Sequence, residues 1–204
     1  MKKIIIDILM FILMLIEFSK VYLPPQIHEI VGICLLALVI AHLILNGKYI
    51  KAIPKGKYNL KRSSFLIIVN VAFMIVFFLT MIFGLLSSQE ILTFLNIGSL
   101  TTVYLHKILA YLCLILLGIH LGMNMNGLFR KIEDKLPKTL TYFLYIIIVI
   151  FGIYSMMQVD FITHLTGNHG FSIVTDNILI NTLEYLFIIL MFSVIAHMIL
   201  KIEK

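Results

Sequence analysis

Two stretches of the chain carry a pair of histidines at the same spacing. In each pair thirteen residues separate the two histidines, and an asparagine follows the second histidine by four positions. The residues are His28, His42 and Asn46 in one stretch, and His106, His120 and Asn124 in the other. Imidazoles are common ligands of iron, zinc and copper. The repeat therefore predicts sites at which a metal centre is held.

The spacing determines where these histidines lie on a helix. Fourteen positions come to about 40° short of four turns, with a rise of ~21 Å. Each helix then presents two histidines on nearly one face, one towards each side of a hydrocarbon core about 30 Å thick. If the helices are parallel, each pair at one depth can ligate a haem iron from both faces. Two b-type haems are predicted, the outer on His28 and His106 and the inner on His42 and His120.

The composition requires these helices to lie in a membrane. Of 204 residues, 61% are hydrophobic and 13% are charged, whereas soluble domains are about half apolar and a quarter charged. Six apolar blocks are long enough to cross a bilayer, which takes ~20 residues. They are about 3–22, 26–46, 64–86, 101–122, 138–158 and 178–200. The sequence predicts a single all-α integral membrane bundle of about six transmembrane helices over residues 1–204.

The basic residues predict how the bundle is oriented. In this six-span arrangement, all of the 16 basic residues except Lys20 and Lys107 fall on one side of the membrane. Such an asymmetry favours the cytoplasm for that side and for both termini, and it makes spans two and four parallel. It also explains the net charge of +6 without a nucleic-acid partner. The predicted location is the plasma membrane of a bacterium, with lipid around the spans.

Several kinds of site are excluded by the motifs that the sequence lacks. The two cysteines, Cys34 and Cys113, lie inside apolar blocks and support neither a disulfide framework nor a thiolate metal site. No Cys-x-x-Cys-His motif occurs, so covalent haem attachment is excluded. No Walker or nicotinamide fingerprint occurs either. Any electron donor or acceptor must therefore be another protein or a diffusible carrier, such as a quinone.

One further histidine echoes the repeat. Residues 196–200 (AHMIL) resemble residues 41–45 (AHLIL), but no histidine lies fourteen positions before His197. We interpret this segment as a degenerate third copy. Two roles stay open for His197: it replaces His42 or His120 as a ligand, or it lies beside a haem or quinone site.

Other polar residues have two interpretations each. Lys107, Asn46 and Asn124 are candidates for binding haem propionates, although each asparagine could equally end its helix. Small residues four positions after the first histidine of each pair would admit a flat porphyrin or serve ordinary helix packing; they are Gly32 and Ala110. Carboxylates in or near the spans suggest a proton path, a quinone contact or an interfacial position; they are Asp7, Glu17, Glu29 and Glu184. His164 and His169 are predicted to lie in an exposed outer loop, with an exit-side contact or metal site as the alternative.

Four stretches together resemble a known family. They are the first span with Asp7-Ile8-Leu9-Met10, the helix from His28 to His42-Leu43-x-Leu45-Asn46, a third span ending in Phe83-Gly84, and the helix from His106 to His120-Leu121. They are similar to the flavinylation-associated cytochromes, small bacterial membrane proteins catalogued as a domain of unknown function. The resemblance covers roughly residues 1–125. Its histidine spacing is shared with cytochrome b subunits of respiratory enzymes and with ferric-reductase-like transmembrane domains.

The resemblance implies electron transfer from a membrane quinol or cytoplasmic donor to an extracytoplasmic flavin-carrying partner. An electron-transfer subunit fits this role better than a stand-alone enzyme. The chain departs from the family's simplest pattern in its sixth span with His197. The alternative hypothesis is a metal-binding or divalent-metal transport protein that uses the same four histidines with Glu29 or Glu184. Metal ligands usually lie close together, and a spacing of fourteen does not favour this. A scaffold without a cofactor would leave the repeat unexplained.

Overall fold

The computed structural model describes residues 2–47, 60–168 and 177–202. Within these ranges the regular structure is helical and contains no strand, so the predicted all-α class is confirmed. The helices are α1 (Lys2–Phe18), α2 (Pro25–Leu45), α3 (Leu60–Leu86), α4 (Leu100–Asn124), α5 (Asn126–Lys135), α6 (Lys138–Gln158), α7 (Phe161–Leu165) and α8 (Ile178–Ile202). Short 3-10 turns cover Lys20–Tyr22 and Thr93–Leu95.

Among the described residues, five helices are long and apolar enough to cross a membrane, which indicates a multi-pass membrane protein. They are Pro25–Leu45, Phe65–Leu86, Leu100–Asn124, Lys138–Gln158 and Ile178–Lys201. Proline sets the start of two of them: Pro25 is the first residue of α2, where its missing N–H needs no partner, and Pro137 directly precedes α6.

The first predicted span is shorter than expected. Helix α1 has 17 residues and ends at Phe18, whereas the apolar block continues to residue 22. The chain turns at Lys20–Tyr22 before the Pro24-Pro25 pair that begins α2. At 1.5 Å per residue, α1 is about 25 Å long, slightly less than the hydrocarbon core.

Two connections between spans contain short helices. The segment between α4 and α6 forms the helix α5, which has an apolar and a charged side. On the opposite side of the membrane, Asp160 adopts a left-handed backbone conformation with φ of 48°. This turn reverses the chain after α6 and folds the short helix α7 back against the bundle, where Phe161 is fully buried. Most of the other basic loop, and His169, lie outside the described residues.

The helices pack as two hairpins and a central helix. Helix α2 lies along α1, α3 lies along α4, and α8 packs against both α4 and α6. Glycines bring α8 close to its neighbours: a Cβ at Gly122 would collide with the Ser193 carbonyl, and one at Gly152 would come within 2.5 Å of Met191. Small residues commonly allow such close approach in membrane bundles. The glycines therefore let α8 pack closely against α4 and α6.

Candidate cofactor site

The structure brings the predicted outer pair of histidines together. The N-terminal ends of α2 and α4 lie at the same end of the bundle, since Gln26 donates a hydrogen bond to Glu90 in the loop that leads to α4. The ring centroids of His28 and His106 are 6.1 Å apart. Two imidazoles on opposite sides of one metal, each with a bond of about 2 Å, have centroids about 6 Å apart. The separation therefore suits two ligands of one iron.

Helix α3 orients both histidines of α4 through one ring nitrogen. The Nδ1 of His106 donates to the backbone carbonyl of Thr80 at 2.9 Å. The Nδ1 of His120 donates to the side-chain oxygen of Asn70 at 2.8 Å, and the Phe73 ring lies 5.4 Å from the His120 ring, centroid to centroid. In both cases the hydrogen-bond acceptor is an uncharged oxygen of α3.

Helix α1 places a carboxylate beside each histidine of α2. The Nδ1 of His42 lies 2.7 Å from Asp7 Oδ1 and forms a hydrogen bond with it. The Nδ1 of His28 lies 2.7 Å from Glu17 Oε2, an ion-pair distance at an angle outside hydrogen-bond geometry. Both carboxylates are candidates for a proton path or quinone contact, which stays a prediction, and each lies beside a histidine of α2.

These contacts place the Nδ1 of all four histidines against an oxygen, while the Nε2 of His42 also lies 3.3 Å from the Asn46 amide. With Nδ1 turned to an oxygen, Nε2 is the nitrogen that can bind a metal. Metal-ligating histidines almost always donate their other N–H to a carboxylate or carbonyl, which fixes the tautomer and the ring orientation.

The residues that contact the rings were not identified as such from the sequence. One signal could have found them: Asp7 and Glu17 are ten positions apart, as are Asn70 and Thr80.

A cavity of about 560 Å³ lies at the outer pair. Its volume is within the 300–1,000 Å³ typical of small-molecule and cofactor pockets. His28 and His106 line it, together with Gly32 and Ala110, the small residues expected beside a porphyrin. Gly84 on α3 is also required, because a Cβ there would lie 2.9 Å from Cε1 of His106. The residues around this cavity therefore fit a flat macrocycle between two imidazoles.

Charged side chains of both signs line the cavity, with the carboxylates of Glu17 and Glu29 beside two lysines. Lys20 and the predicted Lys107 both line it, and within the described part of the chain neither forms an ion pair. Close by, the Glu29 carboxylate accepts hydrogen bonds from the Ser88 hydroxyl and from the backbone N–H groups of Gln89, Glu90 and Ile91. Glu29 thus holds the loop beside the cavity, and the two lysines remain available to an anionic group.

The inner pair differs from the outer pair in its ring contacts. No ring contact joins His42 to His120 among the residues that the structure describes. The side-chain amides of Asn46 and Asn124 donate to the backbone carbonyls of His42 and His120, at 3.0 and 2.8 Å. Asn46 also approaches the His42 Nε2 at 3.3 Å. Both asparagines therefore act at the helix ends, and a propionate contact stays a prediction for them.

His197 lies apart from the two pairs. It is 3% exposed, and its ring stacks on Phe129 of α5 with centroids 4.4 Å apart. Its Nε2 donates to Glu133 at 3.1 Å, and Lys201 donates to the same carboxylate at 3.0 Å. Partial burial acts to raise the pKa of Glu133, but the hydrogen bonds from Lys201 and His197 hold that pKa below its usual range. A ligand role for His197 stays a prediction that these contacts do not favour.

The prediction that His164 lies in an exposed loop is wrong. His164 is 8% exposed and stacks on Tyr111, with ring centroids 4.8 Å apart. The cause is the turn at Asp160, which folds α7 inward. The hydroxyls of Tyr111 and Tyr185 share a hydrogen bond of 2.9 Å beside it. His164, Tyr111 and Tyr185 also line the cavity, and the Phe18 ring of α1 lies 4.9 Å from the Tyr185 ring, centroid to centroid.

Functional assignment depends on this chain's own geometry. In the described ranges, no group of three or more His, Cys, Asp and Glu residues is placed to hold a metal ion by side chains alone. Comparison with protein families, with curated proteins and with solved structures gives no match to this chain.

Proposed function

We propose that the chain is a transmembrane cytochrome that carries electrons across the plasma membrane of a bacterium. His28 and His106 would hold an outer b-type haem, and His42 and His120 an inner one. The observation that carries the proposal is the common arrangement of the four imidazoles, in which each Nδ1 faces an oxygen of the preceding helix and Nε2 is the nitrogen that a metal would bind. Each haem would supply a one-electron iron couple.

The surrounding residues have defined tasks in this proposal. Helices α1 and α3 fix the ring orientations of the histidines. Gly32, Gly84 and Ala110 leave room beside the outer pair. Lys20 and Lys107 lie at the cavity rim without ion pairs to described residues, where they can neutralise propionate groups.

The proposal includes six spans with both termini in the cytoplasm. Although α1 is short, Asp7 reaches the depth of His42 and Glu17 reaches the depth of His28. These two histidines are about 21 Å apart along α2, so α1 follows most of the membrane depth. Its isoleucines at positions 4, 5, 8 and 12 are exposed, as lipid-facing side chains are. The distribution of lysine and arginine supports cytoplasmic termini.

The partners are proposed from the family resemblance. A quinol or a cytoplasmic protein would supply electrons, and an extracytoplasmic flavin-carrying protein would accept them. Because the sequence has no nucleotide-binding fingerprint, the chain would act as an electron-transfer subunit beside such partners.

The first experiment is the haem-to-polypeptide ratio of the detergent-purified protein, measured by pyridine haemochrome assay with a reduced-minus-oxidised spectrum. We expect two b-type haems per chain. His28→Ala or His106→Ala should remove one haem and leave the other. Glu133→Gln is the control, since it alters a polar contact of α5 with His197 and Lys201, away from the four histidines, and should retain both. A wild-type protein without haem that contains zinc or iron instead would support the metal-transport alternative.

A further inference from the structure

The two hairpins orient their histidines with different chemical groups. Each proposed haem would have one histidine backed by a carboxylate of α1 and one backed by a neutral oxygen of α3. At the inner pair the groups are Asp7 and Asn70; at the outer pair they are Glu17 and the Thr80 carbonyl. The charged partners are thus confined to one hairpin.

Orientation alone does not require the carboxylates. Asn70 and Thr80 hold their imidazoles at 2.8 and 2.9 Å with uncharged oxygens. A carboxylate within an apolar span is costly and usually functional. Asp7 and Glu17 therefore contribute something that a neutral acceptor in the same place does not, namely negative charge beside the ring.

Burial makes this charge effective. The side chains of His28 and Glu17 are 16% and 15% exposed, whereas those of His42 and Asp7 are 28% and 50% exposed. In the proposed topology Asp7 lies within two turns of the cytoplasmic end of α1, where water reaches an exposed side chain, and electrostatic interactions are stronger where water is excluded. Of the two carboxylates, Glu17 should act more strongly on the histidine that it contacts.

We propose that Asp7 and Glu17 are positioning residues that lower the reduction potential of the haem ligated by the histidine each contacts. This inference rests on the proposed function. Negative charge at the far nitrogen makes an imidazole a more basic ligand, here through the hydrogen bond of His42 with Asp7 and the 2.7 Å ion-pair contact of His28 with Glu17. A more basic ligand favours the oxidised iron. Reduction potentials respond to hydrogen bonds around the ligands and to burial. Helix α1 thereby acts on both haems without supplying a ligand.

The test is a potentiometric titration of the purified protein, followed by the haem absorbance bands. Asp7→Asn should raise one of the two midpoint potentials, and Glu17→Gln should raise the other by more. For Glu17→Gln we expect at least a tenfold change in the reduction equilibrium, which is 59 mV for a one-electron couple. Glu90→Gln is the control, because that loop carboxylate contacts Gln26 and none of the four histidines; it should leave both potentials unchanged.

A reciprocal variant separates charge from structure. Asn70→Asp places a carboxylate on the other histidine of the inner pair and should lower the same potential that Asp7→Asn raises. The double variant Asp7→Asn with Asn70→Asp should return that potential towards the wild-type value. If the Asp7→Asn protein loses its inner haem, the Asn70→Asp variant alone tests the inference.

Two results are distinguishable. Two haems in every variant with unchanged potentials would overturn the inference and leave the proposed function standing. A wild-type protein without haem would overturn the proposed function itself.

Discussion

The outer and inner pairs of histidines have the same sequence spacing but different surroundings. At the outer pair, the rings are 6.1 Å apart beside a cavity with two lysines at its rim. At the inner pair, no ring contact is formed among the described residues, and Asn46 lies close to the His42 Nε2. One spacing can therefore produce two sites with different distances between their rings, because the neighbouring helices position each ring separately.

The largest expected effect is at Gly84, which distinguishes the outer site from the inner one. Gly84→Leu would force the His106 ring away from α3, since even a Cβ would lie 2.9 Å from its Cε1 atom. We expect the haem content to fall from two to one. Gly127→Leu is the control, because a Cβ at Gly127 meets nothing within 4 Å. Retention of both haems in Gly84→Leu would show that haem binding at the outer pair does not depend on the space beside Gly84.

A second comparison uses the two residues of α3 that accept hydrogen bonds from histidines, Asn70 and Thr80. Asn70→Ala removes the oxygen that holds His120, whereas Thr80→Ala leaves the backbone carbonyl that holds His106. Loss of such a partner typically costs about 10- to 100-fold in metal affinity. Asn70→Ala should therefore release its haem faster in a transfer assay to apomyoglobin, and Thr80→Ala should match the wild type. Equal rates would mean that Asn70 does not support the inner site.

The lysines offer a smaller effect that is confined to the outer site. Lys107→Gln and Lys20→Gln each remove a positive charge that favours the reduced, less positive iron. Each should lower the outer midpoint potential, and the double variant should lower it further. Lys201→Gln, which alters a lysine paired with Glu133, should leave the outer potential unchanged. A decrease of both potentials by the same amount would contradict a local action of the rim.

The smallest effect concerns α5, which contacts His197 and neither pair. The pKa of Glu133 lies below its usual range. The stabilisation that the Glu133 carboxylate contributes is therefore complete above about pH 4.3, the ordinary pKa of a glutamate. It is lost as the pH falls through the lower pKa that Glu133 has in the folded protein. Glu133→Gln should lower the unfolding temperature at pH 7, with a loss of about 1 kcal/mol at most because Lys201 is 41% exposed. The difference from wild type should vanish below that pKa. Haem content should not change. Identical unfolding temperatures at pH 7 would contradict a stabilising role for this cluster.

Much of the fold could be predicted because apolar block length and histidine spacing are visible in the sequence. Five of the six predicted spans correspond to long apolar helices within a few residues. The end of α1 was missed because apolar residues continue past Phe18 into a turn. His164 was misplaced because the left-handed conformation of Asp160 has no clear sequence signal.

The histidine partners were harder to predict for a physical reason. The Thr80 acceptor is a backbone carbonyl, which any residue possesses, and only the approach of His106 at Gly84 selects it. Asn70 is a side-chain acceptor in an apolar block, but it lies 50 positions before His120. Sequence spacing gives the face on which a ligand lies; it does not give the neighbour that orients the ligand.

The contact between α4 and α8 has a consequence for mutational tolerance. Gly118 and Gly122 lie against the backbone of α8, and Ser193 donates to the Gly118 carbonyl. Helix α4 thus carries two constrained stripes, one of glycines and one of histidines. In a saturation scan, the glycine stripe should reject every side chain larger than hydrogen, whatever its polarity. The histidine stripe should reject substitutions according to their chemistry. The pattern of survivors along one helix would thus separate a requirement for space from a requirement for coordination.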